Sequence, residues 1–129
     1  ARYNNMAIQL RGQYIYAKLE NTESYNLFTN SNLGSVMTGY YLEAGYNLFE
    51  NRDTENKLIA FARYENYNTH TEVTSGTLKN LSYDRTEKTF GFTYKVSNGA
   101  AFKADYQLLS NGASDNENQQ LNLGVAVWF

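Results

Sequence analysis

The sequence predicts an all-β fold, an antiparallel transmembrane β-barrel whose strands carry one apolar and one polar face. Three observations point there. The 129 residues include 12 Tyr, 7 Phe and 1 Trp but no Pro, a composition that favours strands. Six segments alternate apolar and polar residues with period two. The connections between them alternate in length, as short periplasmic turns and long external loops do in outer-membrane barrels.

The bulk numbers bound the alternatives. The length suits a single barrel segment over residues 1–129, with no composition break to mark a second domain. Eleven Lys and Arg against 13 Asp and Glu give a net charge of −2, so no clustered cations invite nucleic acid. The absence of Cys removes disulfides, thiolate metal sites and Cys nucleophiles without assigning a compartment. No window holds the 18 or more apolar residues of a membrane helix, and the opening "ARYNNMAIQL" is not a signal peptide. The mean hydropathy of −0.61 averages over residues, so it does not register alternation, which is how a membrane strand encodes its lipid face.

The segments are 6–19, 37–49, 57–67, 87–96, 101–109 and 120–129, each long enough for the about 9–11 tilted residues that cross a bilayer. In the first, Ile8, Leu10, Tyr14 and Tyr16 oppose Gln9, Arg11 and Gln13. In the second, Tyr40, Leu42, Ala44, Tyr46 and Leu48 oppose Gly39, Glu43, Gly45 and Asn47. The third is ambiguous, because Ile59 and Phe61 share parity with Arg63 and Glu65. A charge decides it: Arg or Lys on a lipid face costs about 2–4 kcal/mol near the midplane, more than one misplaced Ile. Arg63 and Glu65 are therefore expected to point inward. The fourth sets Phe90, Phe92, Tyr94 and Val96 against Thr89, Gly91, Thr93 and Lys95. The fifth sets Phe102, Ala104, Tyr106 and Leu108 against Lys103, Asp105 and Gln107, and the sixth groups Leu121, Leu123, Val125, Val127 and Phe129.

Residues 50–56 and 97–100 ("SNGA") are short connections, the second with a hairpin-type Asn-Gly. Residues 20–36, 68–86 and 110–119 are longer and polar, which places the chain's end in the periplasm. Six strands are fewer than the about eight of the smallest membrane barrels. Short strands at "SYNLF" and "TLKNLSY" would complete an eight-stranded barrel with a packed interior and a structural or interaction role. The favoured expectation is the C-terminal portion of a longer barrel, since an open sheet with a lipid face and free edges is unstable.

The ending, Asn122-Leu-Gly124-Val-Ala-Val127-Trp-Phe129, looks like the terminal signal of outer-membrane barrels. Asn122, Gly124, Val127 and Phe129 carry it, and the resemblance implies that the barrel assembly machinery is a partner during insertion. Upstream, "GYYLEAGYNLF", "FARYENYNTH" and "TFGFTYKVSNGAAFKADYQLL" resemble the closing strands of the phosphate-selective porin O and P family over about residues 36–129. That resemblance implies a roughly 16-stranded barrel assembled as a homotrimer in the outer membrane of a Gram-negative bacterium. It does not carry over the substrate, because nothing in these residues matches the family's basic constriction.

The expected function is a porin-like channel for passive diffusion of small hydrophilic solutes or ions, with outer-membrane lipid around it and no catalysis, cofactor or metal. The lumen candidates are Arg11, Glu43, Arg63, Glu65, Lys95, Lys103 and Asp105, a mix only slightly cationic. Pore-lining charge that tunes ion passage is one reading. Mutual neutralisation across the wall is the favoured one. His70, alone without a second His or any Cys, is read as a plain loop residue rather than a metal ligand or base, and no Ser sits in a nucleophile-elbow context for a hydrolase. "NGASDNENQQ" lacks the EF-hand acid spacing and is read as a solvated external loop. Tyr14, Tyr16, Tyr40, Tyr46, Tyr64, Tyr94, Tyr106 and Phe129 suit interfacial girdles better than a stacking platform. A soluble ligand-binding barrel, the remaining alternative, would turn these residues inward.

Overall fold

The computed structural model describes residues 1–4, 7–51, 55–97 and 99–128. Seven strands form one sheet in sequential order: β1 (Arg2–Asn4), β2 (Ile8–Lys18), β3 (Val36–Asn47), β4 (Lys57–Glu72), β5 (Asp84–Ser97), β6 (Ala100–Asn111) and β7 (Ser114–Val127). Every neighbouring pair is antiparallel, and β1 and β7 lie at opposite edges. Among the described residues no helix is long and apolar enough to cross a membrane.

The six alternating segments are all strands, and a seventh is added at the N-terminal edge, where Tyr3 pairs with Leu10. Other expectations are corrected. "SYNLF" is not a strand but part of a helix, α1 (Thr22–Thr29), bounded by Asn21 and Asn30 with φ of 59° and 54°. Asn tolerates that left-handed backbone better than most residues, so both ends of α1 are written locally. "TLKNLSY" is also not a strand: it is extended chain closing in a 3-10 turn at Leu81–Tyr83, which Asn80 caps by accepting from the Ser82 N–H. The stretch 110–119 is not a long loop. β6 runs to Asn111 and β7 starts at Ser114, so "SNGAS" turns a tight hairpin in which Asn111 Oδ1 accepts from the Ala113 N–H at 3.0 Å. β4 likewise runs five residues past the expected end at Tyr67, because its register with β3 and β5 continues into polar residues.

The sheet has no second layer, and its burial is inverted relative to a soluble domain. Val36, Ile59 and Ala101 are the only buried hydrophobic residues among those described, whereas Leu42, Leu121, Leu123, Val125 and Val127 are 62–77% exposed. The polar side holds buried Asn47, Thr89 and Asp105. In a single sheet, a side chain can only be hidden by neighbours on its own face. Polar side chains that hide one another while larger apolar ones stay open mean that the polar face is the concave one.

Candidate functional site

Register brings all seven charged candidates onto the concave face. Arg11 lies opposite Glu43, Glu43 opposite Arg63, and Arg63 opposite Thr89. Glu65 is two residues along β4, while Lys95, Lys103 and Asp105 share the same parity on β5 and β6. The ambiguous β4 therefore resolves as its charges require, with Ile59 buried on the polar side between Asn47 and Thr93.

Six of the seven are paired. Arg11 Nη1 lies 3.4 Å from Glu43 Oε1, Arg63 Nη2 is 2.9 Å from Glu65 Oε2, and Lys103 Nζ is 3.3 Å from Asp105 Oδ2. Two of the cations also rest on aromatic rings. The Arg63 guanidinium is 4.4 Å from the Tyr41 centroid, and Lys103 Nζ is 4.9 Å from that of Phe61. Each ring adds quadrupole attraction to its cation, modest because both cations remain partly open to water. Lys95 sits across from Lys57 and lines a depression of about 190 Å³ with Arg11, Glu43 and Lys103.

Asp105 is the most buried acid of the group, and Asn122 Nδ2 donates to it at 2.9 Å and to Gln107 Oε1 at 3.0 Å. Asn122, which the sequence reading assigned to an expected terminal signal, is in the structure the link that ties β7 to the charges of β6. Gly124 lies opposite Lys103 and Val127 opposite Ala100. Phe129, the last member of that signal, lies outside the described residues.

Sequence reasoning missed the aromatic part of this face. Tyr41 and Phe61 have polar-side parity, but the lumen candidates read from the sequence are all charged and neither ring is among them. A detectable signal existed: Phe61 lies between Gly45 and Gly91 in register, and Tyr67 faces Gly39. Ring-over-glycine pairs of this kind restore contact where a strand lacks a side chain. At Gly91 a Cβ would lie 2.5 Å from the Ala104 carbonyl oxygen and 2.7 Å from Asp105 Cβ. Strands β5 and β6 thus approach closely under the Lys103–Phe61 contact.

The convex face carries Tyr14, Tyr16, Tyr40, Tyr46, Tyr64, Tyr94 and Tyr106. Tyr14 pairs with Tyr40, Leu42 with Tyr64, and Phe90 with Tyr106, and the Tyr40 and Tyr64 rings are 6.0 Å apart. Above them the same parity turns polar at Asn66, Thr86, Lys88 and Gln119, where Lys88 Nζ lies 3.5 Å from Glu117 Oε1.

His70 is not a plain loop residue. It lies within β4, 2% exposed, with Nε2 2.8 Å from the Asn32 carbonyl and Nδ1 accepting from the Asn80 N–H at 3.3 Å. Its ring packs 4.4 Å from that of Tyr83. One imidazole thus ties the β2–β3 connection and the β4–β5 connection to β4. Asn26 adds a second tie, with its amide meeting both backbone groups of Leu33 and Thr77 Oγ1.

The chain is 43% identical over 93 residues, 72% of its length, to an uncharacterized protein of Aquifex aeolicus (strain VF5). Those residues are 21% of the relative, so the chain spans about a fifth of its length. No family model matches the chain, and no solved structure matches it.

Proposed function

We propose that this chain forms part of an antiparallel transmembrane β-barrel of a Gram-negative outer membrane, acting as a porin-like channel for passive diffusion of small hydrophilic solutes or ions. The observation that carries the reading is the inverted sheet, apolar and open on its convex side, polar and self-paired on its concave side. In water, a continuous apolar face over six strands is an aggregation liability. Against lipid it is the stable arrangement.

The apolar boundary supplies a quantitative support. Its upper edge runs through Tyr16, Tyr40, Tyr64, Phe90, Leu108 and Leu121. Measured against the register, it steps down two residues at each of the first three pairings, up two at the fourth and down two at the fifth, six residues down in all. Six residues of stagger at about 3.3 Å each, over five spacings of about 4.8 Å, tilt the strands by about 40°, within the range of closed barrels. The nine-residue run Tyr40–Leu48 then spans about 23 Å along the normal, close to the apolar band of outer-membrane barrels.

β1 and β7 run in the same direction, so joining them would make a parallel pair, and single-chain bacterial barrels are antiparallel with an even strand count. This favours the larger barrel over the eight-stranded alternative. So does the relative: with 93 residues making up 21% of it, it is about 440 residues long. That length has room for the roughly 16 strands of the porin O and P family, whose trimeric assembly, and whose handling by the barrel assembly machinery, belong to the same proposal.

Diffusion through such a pore needs no side chain to change state. The polar wall replaces part of a solute's hydration, and its charge balance sets which ions pass. With three acid–base pairs on the wall and Lys95 beside them, the expected preference for anions is weak. Planar-bilayer conductance of the full-length protein, with reversal potentials in a salt gradient, tests this. Steps with weak selectivity are expected, and the absence of conductance would refute the pore.

A further inference from the structure

We propose that α1 is an interfacial helix, which lays its exposed apolar residues into the headgroup region of the outer leaflet beside the upper tyrosine belt. This rests on the membrane reading of the sheet and adds a second, separate lipid contact outside the strands.

The helix repeats the inversion of the sheet. Its buried residues are polar, Thr22 at 2% and Asn26 at 7%, while Leu27 and Phe28 are 80% and 92% exposed and Tyr25 is 53% exposed. A helix capping a water-filled mouth would turn the other way, since apolar side chains are the ones that gain by leaving water. The polar side is fixed in place, because Asn26 is bonded to Leu33 and reaches Thr77 across the neighbouring connection. Rotation about the helix axis would break those bonds, so the open side is not an accident of a loose loop.

Position agrees with orientation. Val36 has the parity of Thr38 and Tyr40, the convex side, through an unbroken register with β2. Yet it is 3% exposed where its convex neighbours are open. With no second sheet, only the β2–β3 and β4–β5 connections are available to cover it. These connections therefore fold over the outer side of the barrel rim. Three residues separate Lys18 from Thr22, which keeps the start of α1 within about 14 Å of Lys18, at the strand end that carries Tyr14 and Tyr16. Leu78, 85% exposed, lines the same cleft as Leu27. Leu27, Phe28 and Leu78 thus extend the apolar surface of the barrel past its belt into the layer where amphipathic helices bind lipid.

These 129 residues contribute no thiol, so a single introduced Cys is the one label site once any Cys elsewhere in the full-length protein is replaced by Ser. Nitroxides would be placed at Phe28→Cys, Leu78→Cys and Leu42→Cys in the full-length protein, reconstituted in phosphatidylcholine vesicles. Collisions with oxygen, which concentrates in lipid, would be compared with those of a water-soluble nickel chelate. The expected result is a deep signature at Leu42 and a shallow lipid signature at Phe28 and Leu78, severalfold above that of a label at Asn116. Phe28 open to the chelate, with Leu42 still deep, would overturn the inference and leave the barrel intact. Phe28 shielded from both reagents would also overturn it, in favour of a protein covering the helix. Leu42 open to the chelate would refute the membrane reading itself.

Discussion

At Gly91 the absence of a side chain is a requirement of packing rather than of backbone angle. The atoms that a Cβ would meet are the Ala104 carbonyl oxygen and the Asp105 backbone and Cβ, none of which can swing aside. Gly91→Ala should force β5 and β6 apart under the Lys103–Phe61 contact, at about 1–3 kcal/mol, read as a lowered urea midpoint in lipid. Gly124→Ala is the control: its nearest neighbour would be Lys103 Cβ at 4.0 Å, so the midpoint should hold. His70 makes a second residue-scale prediction. Because Nδ1 accepts from the Asn80 N–H and Nε2 faces a carbonyl, the arrangement selects the tautomer with its proton on Nε2. Nitrogen chemical shifts should report that tautomer. His70→Ala should speed amide exchange in both connections at once, because one ring holds both; faster exchange in only one would contradict the latch.

At the scale of elements, the strands were legible because their chemistry alternates against the pleat, and β4 shows how little information is needed. Two charges on one parity outweigh an Ile and a Phe, and the register agrees. The connections were less legible, since polar residues there serve contacts distant in sequence. "SYNLF" alternates well enough for a strand, but Asn26 is claimed by Leu33 and Thr77, and the flanking Asn residues close a helix. The tetrapeptide "SNGA" occurs twice, at 97–100 and 110–113; β5 ends at Ser97 and β6 starts at Ala100, and the second copy turns the β6–β7 hairpin. The second is masked in the sequence because Asp115 to Gln120 are polar on both faces, which erases the period of the first half of β7. A prediction belongs to this scale. Leu123 is 77% exposed, so in water Leu123→Arg would shift stability within about 0.5 kcal/mol. On a lipid face it should cost about 2–4 kcal/mol and block insertion, whereas Gln13→Arg, on the concave side, should insert normally. Equal insertion of the two variants in an outer-membrane fractionation would argue against lipid on the convex face.

For the whole molecule, direction of tilt and balance of charge are the properties that no single residue carries. Charge comes from pairing: Asp105 holds Lys103 and Asn122 together, so Asp105→Asn removes one acid from the concave wall while keeping its shape. The reversal potential should move toward anions, and Lys95→Gln in the same background should move it back. Tilt comes from the boundary of the apolar face, which descends across the register from Tyr16 to Leu121. A lipid slab forces that boundary to be level, because each residue of misfit would leave a polar group in hydrocarbon or an apolar one in water. With lipid on the convex face as proposed, levelling that boundary requires the strands to lean, and the stagger sets the lean at about 40°. Polarised infrared dichroism of the amide I band, on oriented bilayers carrying the full-length protein, measures this angle directly. A value between about 35° and 45° is expected. Strands lying flat on the surface, or isotropic order, would mean that the stagger has another origin and that the convex face does not meet lipid as a barrel wall.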